Sequence, residues 1–212
     1  MSPVLKILII DNTIAPNKPD ANYIIEAVKD SCDCKVIRYH EVGIGFNLDN
    51  TIDGLILTGS EARIVKDEDV KKFENVTNLV KKVQVPCLGI CFGHQLLALA
   101  HGLKVGDLGQ SYDHFRFVRI IESDDLFKGV KDDKMLLLES HNDYVMKEGL
   151  SKAKFRLLAD SEFCEVEAIK HETKPIYGVQ FHPEQIEIAG EVHKEGLKVI
   201  QNFINIIKSY SY

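Results

Sequence analysis

Ten residues of this chain, Pro86 to Gln95 (PCLGICFGHQ), place a cysteine between two glycines at the end of a short apolar run. That order predicts a strand ending in a G-x-nucleophile-x-G elbow, Gly89, Ile90, Cys91, Phe92 and Gly93, followed by a helix. The two glycines permit a sharp turn and let neighbouring backbone come close, which lifts the middle side chain into the open. At the first turn of the helix, Cys91 meets the positive end of the macrodipole, which favours the nucleophilic thiolate. Free N–H groups at the same place can receive an oxyanion. The competing reading of a free cysteine is a buried structural thiol, and that is the reading for Cys87 inside the strand. A core cysteine at 91 would have no use for the elbow.

A nucleophile of this kind needs a base. Of the eight histidines, His182 in QFHPE directly follows an apolar run, Ile176 to Phe181. Pro183 disfavours an α conformation at His182 and holds it extended. Residues two apart in an extended segment project to the same side, so Glu184 can reach the ring. A carboxylate there fixes the tautomer and steadies the imidazolium, leaving the other ring nitrogen for Cys91. Taken alone, His-Pro-Glu has a lesser competing reading as a solvent-exposed charged turn, which the elbow disfavours further. Cys32, Cys34 and His40 are the one local group of metal-ligand types; their spacing is not that of a zinc knuckle, so no metal is expected. No phosphate-cradling glycine loop appears either, so no ATP or dinucleotide cofactor is expected on this chain.

The elements that must position these residues follow from hydrophobic pattern. Short apolar runs alternating with segments of helical period predict an α/β fold: a mostly parallel open sheet flanked by helices, with an added antiparallel β meander. Expected parallel strands are Leu5 to Ile10, Lys35 to Tyr39, Gly54 to Thr58 and Val85 to Ile90. A turn-rich stretch, Thr13 to Asn22, leads into a helix around Tyr23 to Lys29. One helix is expected over Asp67 to Lys82, with Val70, Phe73, Val76, Leu79, Val80 and Val83 on its buried side, and a buried helix over Gly93 to Ala100. Phe115 to Glu122, Met135 to Glu139, Phe155 to Ala159, Glu165 to His171 and Ile176 to Phe181 read as strands with few helices between them. Gly190 to Lys208 reads as the closing helix. No linker or repeat divides the chain, so residues 1–212 are expected to form one domain with one active site.

Composition narrows the function. At 212 residues, with 45% hydrophobic and 27% charged residues, the chain has a globular composition and is long enough to bury about 70 per cent of its unfolded surface. A net charge of −6 argues against a nucleic-acid partner. Five irregularly spaced cysteines and a start, MSPVLKILII, without a cleavage pattern point to a reducing cytoplasm. Val4 to Ile10 is far too short to span a bilayer, so no membrane anchor is expected.

PCLGICFGHQ and VQFHPE resemble the nucleophile and His-x-Glu motifs of class I glutamine amidotransferases, and the strand pattern agrees from residue 5 to about 205. The resemblance implies a glutaminase with Cys91 as nucleophile, His182 as base and Glu184 as its orienter. It implies an oxyanion hole from the backbone amides of Gly59 and Phe92, and glutamine held with the help of Gln95 and Asn142. SHNDYV, Ser140 to Val145, is similar to the S-H-x-D-x-V stretch of GMP synthase glutaminase subunits, where the backbone after the histidine helps bind the glutamine head group. A hydrogen-bonded turn is the competing reading of His141 and Asp143. The loop LTGSEARI carries Ser60 where those subunits have a second glycine, and in this it is closer to free-standing γ-glutamyl peptidase-like members. Because the chain ends at Tyr212, the resemblance implies ammonia delivery to a separate ATP-dependent synthetase subunit, with GMP synthase the candidate. Two alternatives stay open: a free-standing γ-glutamyl hydrolase with the same triad, and a catalytically silent partner-binding module.

Overall fold

A computed structural model describes residues 4–15 and 20–210. Residues 16–19, within the expected turn-rich stretch, lie outside the described residues. The first strand, β1 (Leu5–Asp11), is apolar at nearly every position because both of its faces are covered: Ile7 and Ile9 join one core, Leu8 and Ile10 the other. It pairs in parallel with β2 (Cys32–Arg38) on one side and β3 (Gly54–Leu57) on the other. Next to β3 run β4 (Cys87–Ile90) and then β9 (Ile176–Val179), all parallel. From β9 the sheet continues antiparallel through β8 (Ala168–His171), β7 (Phe155–Asp160), β5 (Val105–Ile120) and β6 (Lys134–Val145). The order is β2-β1-β3-β4-β9-β8-β7-β5-β6, the parallel core with an antiparallel extension that the pattern predicted.

Helices cover both faces. α1 (Ala21–Val28) and α5 (Gly196–Tyr210) bury Ile24, Val199, Ile200, Phe203 and Ile207 against one face. α2 (Asp67–Lys72), α3 (Glu74–Lys82) and α4 (Phe92–Ala100) lie on the other, where Phe73, Val76, Val80, Leu96 and Leu97 are buried. The expected single helix over Asp67 to Lys82 is therefore two. Phe73, at φ −104° and ψ 10°, breaks it and drops its ring between Tyr39 and Phe92, with centroids 4.5 and 4.7 Å away. Aromatic packing overrides helical continuity there.

Other boundaries also differ from expectation: β2 starts three residues earlier than expected and β8 three residues later. The closing helix starts at Gly196 and not Gly190, because Ala189 (φ 50°) and Gly190 (φ 84°) form a two-residue turn joining β10 (Glu187–Ile188) to β11 (Glu191–Val192). β5 begins ten residues before Phe115: its first half holds two glycines and a register shift between Asp107 and Tyr112, which erase the alternation that marks a strand. β6 runs six residues past Glu139, so His141 and Asp143 lie in a strand and not in a turn. Its buried face there is Glu139, His141, Asp143 and Val145, an alternation kept in burial but inverted in polarity. No helix among the described residues is long and apolar enough to cross a membrane.

Candidate active site

Adjacent parallel strands end side by side, and open α/β sheets bind ligands at the carboxyl ends of their strands. β4 and β9 are neighbours in register, Ile90 opposite Val179, so Cys91 and the segment 180–182 leave the sheet together. The Cys91 N–H donates to the Val179 carbonyl at 2.8 Å, tying the elbow to that strand. Cys91 itself stands at φ 49° and ψ −107°, a strained conformation for a residue with a Cβ, of the kind a nucleophile elbow imposes; its side chain is buried beneath the surrounding loops and not lifted into the open as the sequence predicted. Both flanking glycines are obligatory for close approach. A Cβ on Gly89 would stand 2.5 Å from the Gly93 carbonyl oxygen, and one on Gly93 would run into the Leu57 carbonyl of β3.

His182 is held from two directions. Its N–H donates to the Leu138 carbonyl at 2.8 Å, so edge strand β6 curls back to meet it. Its Nδ1 lies 2.8 Å from Glu184 Oε1, with both side chains buried, which is the two-residue reach expected of H-P-E. Nδ1–H donating to Glu184 leaves Nε2 as the ring nitrogen for Cys91, and the His182 ring and the Cys91 side chain both rest against Gly59. Burial disfavours a charged ring here, but the Glu184 carboxylate and the Cys91 sulfur outweigh it, and His182 titrates well above an ordinary imidazole. The other histidine of the elbow segment, His94, is fully buried and pushed down to about 3 by burial and by His141, so it stays neutral. Its ring lies against Gly178 of β9, where no Cβ would fit.

The loop after β3 completes this end of the sheet. Asn12, just past β1, donates from its backbone to Thr58 Oγ1 and from Nδ2 to the Thr58 carbonyl, each at 2.8 Å, and fixes the residue before Gly59. A Cβ on Gly59 would lie 2.9 Å from His182 Cε1 and 3.7 Å from Cys91 Cβ, so the Gly59 backbone rests directly against both side chains. The Phe92 amide opens α4, and its ring anchors the helix against Phe73. Gly59 thus lies against the Cys91 side chain, and the Phe92 amide follows Cys91 directly in the chain.

Above them is a pocket of about 460 Å³ lined by Asp20, Ser60, Arg63, Gln95, Asn142 and His182 among others. Gln95 is in its wall with its amide nitrogen committed to the Asp143 carbonyl (2.8 Å) and Gln180 Oε1 (3.2 Å). Asn142 is half-buried on the face of β6 opposite His141. Cys91 lies beneath, its Sγ 3.7 Å from the Ser140 carbonyl oxygen. The structure therefore brings together every residue singled out by sequence: Cys91, His182, Glu184, Gly59, Phe92, Gln95 and Asn142.

Two groups of residues escape a sequence reading. Arg63 lies 2.5 Å from Asp143 Oδ1 and 3.0 Å from Asp107 Oδ2, and the Val65 N–H also reaches Asp143 at 3.4 Å. This clamp ties the Gly59 loop to β6 and β5. Behind the pocket, Glu139 and Glu167 are fully buried facing each other, and His141 Nε2 lies 2.9 Å from Glu139 Oε2. Burial pushes Glu139 up to about 7 and Glu167 well above the carboxylate range. The S-H-x-D-x-V resemblance marked His141 and Asp143 without their partners; the other signal was polar residues at alternate positions between Glu139 and Asp143, which pattern rules assign to solvent.

A family model described as glutamine amidotransferase class-I matches residues 9–204. The chain belongs to the class-I glutamine amidotransferases. Among curated relatives, this amidotransferase is 38% identical over 160 residues to a glutamine-hydrolysing GMP synthase subunit of Methanothermobacter thermautotrophicus, covering 74% of this chain and 76% of that one. It is 35% identical over 211 residues to the identically named subunit of Methanosarcina acetivorans, covering 97% and 98%. Its fold is similar to the crystal structure of a Thermoplasma acidophilum protein described as a "putative gmp synthase" subunit, at a TM-score of 0.81 and 28% identity over 100% and 98% of the two chains.

Proposed function

We propose that this amidotransferase hydrolyses glutamine to glutamate and ammonia through a Cys91 thioester, and passes the ammonia to a separate ATP-dependent synthetase subunit that makes GMP. The observation that carries the proposal is the buried His182–Glu184 pair at 2.8 Å beside a cysteine on a strained elbow. Support for the acceptor comes from the relatives that are glutamine-hydrolysing subunits of GMP synthase, one of them matched along nearly its whole length. His182 Nε2 takes the thiol proton, and the thiolate attacks the amide carbon of glutamine. The Gly59 and Phe92 N–H groups receive the oxyanion. Ammonia leaves as His182 returns the proton, for which its raised pKa suits it. Water, deprotonated by the same ring, then cleaves the thioester. Gln95 and Asn142 hold the rest of the substrate, and the reaction takes place in the cytosol.

The test is glutamate release by the purified chain, alone and with an ATP-dependent GMP synthase subunit plus its substrates, with ammonia incorporation followed in the product. The expected outcome is slow release alone and a marked rise with the partner. Ser60 in the Gly59 loop favours one rival, a free-standing γ-glutamyl hydrolase. Turnover of γ-glutamyl dipeptides at ordinary enzyme rates, about 1 to 10³ per second, unchanged by any synthetase, would establish that rival instead.

A further inference from the structure

Asp20 is an acid at a helix start that does not cap its helix. An aspartate at this position ordinarily turns its carboxylate onto the first free N–H groups of the helix. Asp20, at φ −61° and ψ −23°, makes no such bond, and its side chain lines the pocket above Cys91. The point that a Cβ on Gly59 would occupy is 3.0 Å from Asp20 Oδ2, 2.9 Å from His182 Cε1 and 3.7 Å from Cys91 Cβ. The carboxylate therefore stands one small residue's width from base and nucleophile.

The other charged groups around the pocket are engaged. Glu61 accepts from the Ile14 and Ala15 N–H groups, Asp143 and Arg63 hold each other, and His182 holds Glu184. Among the described residues, the Asp20 carboxylate has no hydrogen-bond or ion-pair partner. Burial, opposed by His182 and reinforced by Glu184, Asp11 and Glu61, pushes it up to about 6. An acid so placed gains most from a cation that enters with the ligand. Glutamine brings one: its α-ammonium lies four bonds from the amide carbon, about 5 Å along an extended chain.

We propose that Asp20 pairs with the α-ammonium of the substrate and so selects free α-amino acids over amides that lack this charge. The assignment rests on the glutaminase reading above. It is tested by comparing glutamine with 4-carbamoylbutanoate, the same chain without the α-amino group, in the wild type and in Asp20→Asn, using the full chain with its synthetase partner. A charged hydrogen bond of this kind predicts that KM for glutamine rises roughly tenfold to a hundredfold in Asp20→Asn, with kcat little changed. KM for 4-carbamoylbutanoate should stay within about twofold, so the preference for glutamine collapses. Asp20→Ser, which keeps a residue suited to a helix start, should behave alike if folding of the asparagine variant is impaired. Equal losses on both substrates, or none on either, would overturn the assignment while leaving the glutaminase reading standing. A wild type that hydrolyses neither amide, with or without the partner, would overturn both.

Discussion

Cys91 differs from the other four cysteines in conformation and in company. Burial pushes Cys32 up to about 11 and Cys87 to about 12, and it raises Cys34 and Cys164 as well; none of these four stands at an elbow beside a base. A diazoketone analogue of glutamine should therefore label Cys91 and leave the others unmodified, as peptide mapping will read directly. Label found chiefly on any other cysteine would remove Cys91 as the nucleophile. Within the triad the effects should be unequal, because nucleophile and base act as a unit while the acid orients. Cys91→Ala and His182→Ala should each abolish measurable turnover. Glu184→Gln should keep activity on the order of 10²-fold above the Cys91→Ala background, since a glutamine oxygen can still accept from Nδ1 but cannot balance the ring's charge. Equal loss in all three variants, with circular dichroism unchanged, would leave Glu184 no orienting role.

Between single residues and the sheet stands the Gly59 loop, whose position depends on a clamp made from three elements. Arg63 spans Asp143 on β6 and Asp107 on β5, and Asp143 in turn holds Gln95 through its carbonyl. Removing Arg63 leaves the buried Asp143 without its counter-ion, which is costly, and frees the loop that carries an oxyanion donor. Arg63→Ala should lower kcat about tenfold or more and lower Tm by several degrees. Arg63→Lys should recover most of the stability but little of kcat, because one ammonium can meet both carboxylates as Nη2 does but cannot supply the second, Nε contact that fixes the side chain on Asp143. Unchanged kcat in both variants would show that the loop holds its position without the clamp. None of this was legible in the sequence, where LTGSEARI gives no sign of which acid Arg63 meets. The elbow and the H-P-E reach were legible because each is decided within a few residues by glycine, proline and side-chain alternation. β5 and β6 were half missed for a complementary reason: their outer portions build a polar site, so a bulge and buried acids replace the apolar alternation that marks a strand. Likewise, only the tertiary contact of Phe73 with Tyr39 and Phe92 explains why an apparently continuous helical pattern breaks.

For the molecule as a whole, the antiparallel extension brings ionisable groups into the core, and their titration sets how stability varies with pH. Glu139 and Glu167 are buried together, and burial holds both above their unfolded values. Below about pH 4.5 both are protonated in either state, and they carry no penalty. As pH rises above about 4.5 the unfolded chain has released protons that the folded chain retains, so stability falls, for Glu139 until about pH 7 and for Glu167 beyond it. His182, also raised, adds to the fall above its unfolded value of 6.5. His94 and His141 run the other way: lowered by burial, they make the folded state lose stability as pH drops below 6.5. Between pH 4.5 and 6.5 the two sets oppose each other, and above 6.5 the acids and His182 act alone. The expected profile is a broad maximum near pH 5 to 6.5 and a decline toward pH 8 or 9. Glu167→Gln keeps the size of the buried side chain without a proton to lose, so its Tm should fall less over that range. At pH 8 it should stand above the wild type by roughly 2–4 °C for each kcal/mol of penalty removed. At pH 5, where Glu167 is protonated in the folded chain, the two proteins should melt much closer together. Scanning calorimetry from pH 4.5 to 9 decides it: parallel profiles for wild type and Glu167→Gln would mean that the pair is ionised or water-filled in the folded protein, and that its burial is not what shapes the alkaline limb.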